Sequence, residues 1–136
     1  MLIKICGIRS LAAAQTAQEA GADLIGFVFA ASRRQIDVAS AAGICKSVSG
    51  PGKVGVFVNQ PLDEVNSIAE QCQLDYIQLH GDEPAEYRRN LNRPLIRAVR
   101  VGPGFSPAAL EVAADSWLLL DSFVVGQQGG SGVAFD

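Results

Sequence analysis

The chain has 136 residues, 49% of them hydrophobic and 18% charged, with a net charge of −3 and a sequence pI near 5.1. That length and composition describe one globular domain with one core and exclude a disordered chain. The acidic balance argues against a nucleic-acid partner, which would show a basic face, but leaves arginines enough to hold a small anion.

Met1 is followed at once by Leu-Ile-Lys-Ile-Cys, without the basic and long apolar regions of a secretory signal. The longest apolar runs are strand-sized, so no membrane span is expected. Cys6, Cys45 and Cys72 are odd in number and far apart, which makes neither a disulfide framework nor a Cys-x-x-Cys metal site. A cytoplasmic location without metal is the expectation.

In chain order, Leu2–Cys6 reads as a first strand. Ser10 is placed to cap a helix that ends near Gly21. Asp23–Phe29 is a second strand, and Asp37 opens a helix whose Val38, Ala41, Ala42, Cys45 and Val48 share one face. Lys53–Val58 has the nearly continuous apolar character of a buried parallel strand. Pro61 sits near the first position of a third helix, with Leu62, Val65, Ile68 and Cys72 as its buried stripe. Asp75–Leu79 is the fourth strand, and a shorter helix follows Asp82-Glu83-Pro84. Pro94–Val101 is the fifth strand, Ser106-Pro107 opens a fifth helix, and Ser116–Asp121 is the sixth strand before a glycine-rich segment.

Strand starts recur at roughly 20–30 residues, the size of a βα unit. Two α/β architectures fit: an open doubly wound sheet, or part of an eight-stranded barrel. No linker or second domain interrupts residues 1–136.

Both architectures bind ligands where strands end. The strand ends collect Lys4, Cys6, Arg33, Arg34, Asn59, His80, Asp82, Arg97, Arg100 and Asp121. Cys6 precedes a glycine, and Lys4 lies two residues earlier on the same side of the strand, where a cation favours a reactive thiol. The alternative is a small core cysteine, which is the reading for Cys45 and Cys72 on their helix stripes. Asp121 ends the run Trp117-Leu118-Leu119-Leu120; a carboxyl there is costly unless paired or used, so it is a candidate general acid or a satisfied loop acid. Arg33 and Arg34 offer guanidinium forks to a carboxylate or phosphate, or form a solvated surface pair. His80, the single histidine, is either an acid–base group or structural. Gly129-Gly130-Ser131-Gly132 is suited to close over a ligand.

Several of these segments, taken in order, resemble the phosphoribosylanthranilate isomerase family. Lys4-Ile5-Cys6-Gly7-Ile8-Arg9 is similar to its first-strand motif. Gly26-Phe27-Val28-Phe29 with Ser32-Arg33-Arg34, and Val54-Gly55-Val56-Phe57-Val58-Asn59, resemble the second and third. Gln78-Leu79-His80-Gly81-Asp82-Glu83 resembles the fourth. Leu119-Leu120-Asp121-Ser122 and Gly129-Gly130-Ser131-Gly132, closing with Phe135-Asp136, resemble the sixth strand and its loop.

The resemblance implies a TIM (β/α)8 barrel and an Amadori rearrangement of N-(5-phosphoribosyl)anthranilate to 1-(2-carboxyphenylamino)-1-deoxyribulose 5-phosphate in tryptophan biosynthesis. It implies Cys6 as general base, Asp121 as general acid and Arg34 as the holder of the anthranilate carboxylate. Lys4, His80, Gly130 and Gly132 join the expected substrate contacts. No cofactor and no metal are implied, and either a monomer or a homodimer is compatible. Strands seven and eight of such a barrel, with much of its phosphate site, would follow Asp136. The chain therefore reads as a partial barrel of five βα units and a sixth strand, expected to be poorly soluble and inactive by itself.

Three other readings compete. Another phosphosugar barrel, such as an epimerase or an indole-glycerol-phosphate synthase, would need a different first-strand base. An inactive fragment would need its C-terminal complement. A doubly wound module of the response-regulator type would carry an acidic cluster where Cys6-Gly7 stands.

Overall fold

Six short strands alternate with helices along the computed structural model, which describes residues 1–110 and 116–122. Strand β1 is Lys4–Cys6, β2 Leu24–Val28, β3 Gly52–Phe57, β4 Tyr76–Leu79, β5 Leu95–Val101 and β6 Trp117–Ser122. Helix α1 is Leu11–Glu19, α2 Val38–Ser47, α3 Leu62–Gln71 and α4 Ala85–Arg89. The fifth expected helix shows only a 3-10 turn, Pro107–Ala109, because residues 111–115 lie outside the described ones.

Local chemistry sets the boundaries. The Ser10 side chain accepts from the Ala13 N–H, and Asp37 accepts from the Ser40 N–H, so both expected caps are in place. Pro61 precedes α3 and Pro84 precedes α4, each supplying a fixed φ and no surplus donor. On α2 the buried stripe is Ala41, Ile44 and Cys45. Val38 and Ala42 lie at its margin, and Val48 is the extended capping residue, still only 4% exposed. β1 begins at Lys4 rather than at Leu2, whose side chain is exposed.

All strand pairs are parallel, and the order across the sheet is β1-β2-β3-β4-β5-β6. A doubly wound sheet reverses direction at its switch point; here every strand is added to the same edge, as in a (β/α) barrel. The fold is a partial α/β barrel, which settles the choice that the alternation alone left open.

Two apolar layers follow from the pleat. Ile25, Phe27, Phe57, Ile77 and Leu79 face outward and form one cluster with Ala14 and Ala17 of α1, Ala41 and Ile44 of α2, and Val65 and Ile68 of α3. Phe29 and Phe57 stack within it at 5.2 Å. Burying a phenylalanine as fully as Phe57 stabilises by about 1.5–3 kcal/mol. The inner face carries a smaller cluster, Leu24, Val54 and Ile96, with Tyr76 and Leu119 packed against it. At the strand starts, Asp23 accepts from the Ile3 N–H at 2.7 Å, and Asp75 accepts from the Lys53 N–H at 2.7 Å. These two carboxylates tie each strand to its neighbour at the end opposite the site. Among the described residues no helix is long and apolar enough to cross a membrane.

Candidate functional site

Cys6 ends β1 with its thiol exposed, and it pairs in register with Gly26 of β2. A methyl group at Gly26 would come within 2.9 Å of Cys6 Sγ and 3.2 Å of Lys4 Cε. The bare glycine therefore lets both side chains lie over β2, and Lys4 does share the face of Cys6. Gly7 follows with φ of +85°, a conformation that side chains resist. A Cβ there would meet Arg34 Cδ at 2.6 Å, so the arginine stem crosses the backbone just after the thiol. The loop is held by Ser32 Oγ, which accepts from the Arg34 N–H at 3.1 Å, and by the Arg33 carbonyl, which accepts from Arg9 Nη1 at 3.1 Å. Of the two arginines, Arg34 is the one brought to Cys6.

On the other side of the mouth stand β4, β5 and β6. His80 follows β4, and its Nε2 lies 3.0 Å from Asp121 Oδ2 of β6. Their side chains are 15% and 19% exposed, so the pair is shielded without being sealed. Gln78, two residues before His80 and 3% exposed, points its Nε2 at His80 Nδ1 over 3.4 Å. Asp121 lies opposite Arg100 in register. By strand parity Arg100 shares the inner face with Ile96, and Arg97 takes the outer one. Arg100 Nη2 is buried without a hydrogen-bond partner among the described residues. A cavity of 520 Å³ opens beside β4 and β5, with His80, Arg88, Arg97 and Arg100 in its wall.

The loops after β3 and β4 are latched together. The buried Glu83 carboxylate accepts from the Asn59 N–H at 2.8 Å, and Asn59 Oδ1 accepts from the Asp82 N–H at 2.9 Å. Asn59 sits at φ of 54°, the left-handed region that asparagine tolerates best after glycine. Tyr87 of α4 donates to the Gln60 carbonyl at 2.8 Å, and burial raises its phenol to about 12. Gln78 and Glu83 gain importance in three dimensions that sequence reasoning did not give them. A glutamine inside an apolar strand was the available signal for the first.

The remaining thiols fit the core reading. Burial pushes Cys45 up to about 12, with Cys72 nearby adding to the rise, and burial likewise raises Cys72. Among the described residues no group of three or more His, Cys, Asp and Glu side chains could hold a metal ion. Gly130 and Gly132 lie outside the described residues.

Residues 3–136 match the family model described as N-(5'phosphoribosyl)anthranilate (PRA) isomerase. The chain belongs to this family. It is 44% identical over 136 residues to the N-(5'-phosphoribosyl)anthranilate isomerase of Moorella thermoacetica, covering 98% of this chain and 61% of that protein. The crystal structure of phosphoribosyl anthranilate isomerase from Thermus thermophilus superposes with a TM-score of 0.87 at 36% identity, over 100% of this chain and 68% of that one. A family structure in complex with reduced 1-(o-carboxyphenylamino)-1-deoxyribulose 5-phosphate has a TM-score of 0.72 at 39% identity, over 75% of this chain and 55% of that one. The chain thus spans about six-tenths to two-thirds of the length of its isomerase relatives.

Proposed function

We propose that this chain supplies the acid, the base and the carboxylate grip of a cytoplasmic phosphoribosylanthranilate isomerase. The observation that carries this reading is the convergence on one rim of Cys6 with Arg34 folded beside it, and of Asp121 held by His80 across the mouth. The substrate is N-(5-phosphoribosyl)anthranilate. Asp121 gives a proton to the furanose ring oxygen, and the ring opens to an iminium. The iminium acidifies the C2 proton, which the Cys6 thiolate removes. The resulting enolamine collapses to the ketone, 1-(2-carboxyphenylamino)-1-deoxyribulose 5-phosphate. One acid and one base suffice for this sequence, so it calls for neither metal nor cofactor.

Arg34 presents its fork to the anthranilate carboxylate, where planar bidentate contact favours arginine. Lys4, on the same face as the thiol, is assigned to the substrate contacts. Gly130 and Gly132, following β6 in sequence, are likewise assigned to the substrate contacts. The test is an assay with phosphoribosylanthranilate on this chain, and on the chain extended by the C-terminal remainder of the Thermus relative. Turnover that disappears with Asp121→Asn supports the reading. Turnover that survives Asp121→Asn removes Asp121 as the acid, and its absence from both forms removes the activity.

A further inference from the structure

Gln78 is an expensive residue for its place. It lies on the inner face of β4, 3% exposed, in register between Val56 of β3 and Ile96 of β5. An apolar side chain would fill that space without burying an amide. Among the described residues its Oε1 is buried with no hydrogen-bond partner, so the amide is not fully satisfied there. Among the described residues its side chain bonds to one group, His80 Nδ1, through Nε2 at 3.4 Å.

That contact has a consequence for the ring. A neutral imidazole has one donor nitrogen and one acceptor nitrogen. An amide N–H aimed at Nδ1 requires a lone pair there, which leaves the ring proton on Nε2. Nε2 is the atom 3.0 Å from Asp121 Oδ2.

We propose that Gln78 is a positioning residue that holds His80 as the neutral Nε2–H tautomer, making it an uncharged, directional donor to Asp121. His80 then fixes Oδ2 and leaves Oδ1 free to face the substrate. An uncharged donor fixes the orientation of the carboxyl through one directional hydrogen bond. The kinetic part of this inference rests on the acid role given to Asp121 above; the tautomer does not.

His80 is the only histidine, so its ring nitrogens are read without assignment. The experiment is a long-range ¹H–¹⁵N correlation spectrum of the chain with ¹⁵N-labelled histidine. The expected result is an unprotonated Nδ1 and a protonated Nε2. Gln78→Glu places a carboxylate against Nδ1 and should convert the ring to imidazolium. In the active form kcat should then fall on the order of 10–100-fold, the range for groups that orient a functional imidazole, with KM changed less than about twofold. Gln78→Leu keeps the volume and should give a mixture of tautomers. A wild-type ring protonated at Nδ1 overturns the proposal whether or not any variant folds, and so do His80 signals that Gln78→Glu leaves in place. A ring that becomes imidazolium while kcat stays unchanged sustains the tautomer assignment and overturns the positioning role of Gln78, whereas the acid role of Asp121 is decided separately by Asp121→Asn.

Discussion

On the outer face of the sheet, Phe27, Phe57, Ile25 and Ile77 are fully buried under α1, α2 and α3, and the thiols of Cys45 and Cys72 are sealed among them. On the inner face toward the strand ends lie Lys4 and Cys6 of β1, Gln78 of β4 with His80 just after it, Arg100 of β5 and Asp121 of β6, and Cys6 is exposed. The same pleat serves both faces. The outer one is close-packed because helices cover it. The inner one carries polar groups of two kinds: His80 and Asp121 pair with each other, while Arg100 Nη2 and Gln78 Oε1 are buried without a partner among the described residues. Stability and chemistry are therefore separable in this protein by residue parity along a strand.

The sharpest break of that separation would come from the packed face. Phe57→Ala should destabilise the fold by about 3–5 kcal/mol, the usual cost of a large cavity in a core. Denaturant unfolding measures it; a loss under about 1 kcal/mol would mean that the outer layer is not the main support. The next effect belongs to the mouth. Cys6→Ser should leave unfolding nearly unchanged and lower kcat at least about 10²-fold in the form that turns over. Iodoacetamide should likewise modify native Cys6 and spare Cys45 and Cys72; near-normal turnover after Cys6 is blocked would take the thiol out of the mechanism.

Arg34→Ala should be milder and should act on binding. Losing a forked contact to a carboxylate costs roughly 1.5–3 kcal/mol, visible mainly as a raised KM. An unchanged KM would return Arg34 to the solvated surface. The smallest effect lies at the start of α2. The Ser40 N–H and hydroxyl hold the Asp37 carboxyl below its ordinary value of 3.8. A lowered folded value means that the cap's stabilisation is fully present above 3.8 and is lost as pH falls through the lower value. The thermal midpoints of the wild type and Asp37→Ala should therefore converge as the solution is acidified through that window. A gap that widens in acid would show that the sign is wrong.

Much of the fold could be read locally. Ser10 and Asp37 announced their helices because a cap is a contact between residues three apart. The six apolar runs announced their strands, and the ordered motifs pointed to Cys6, Arg34 and Asp121. The third dimension decided which face each residue serves. Parallel strands are apolar on both sides, so parity puts Arg97 and Arg100 on opposite faces without telling which face is the inner one. The union of His80 with Asp121 spans 41 positions and depends on β4, β5 and β6 lying in that order. The sequence by itself determined the repeating βα units and the reactive groups at their ends, because periodicity and capping are short-range. Only the tertiary structure decided that Gln78 faces His80 and that the Arg34 stem packs against Gly7 next to the thiol, because pairing and close approach depend on strand register and packing between distant segments.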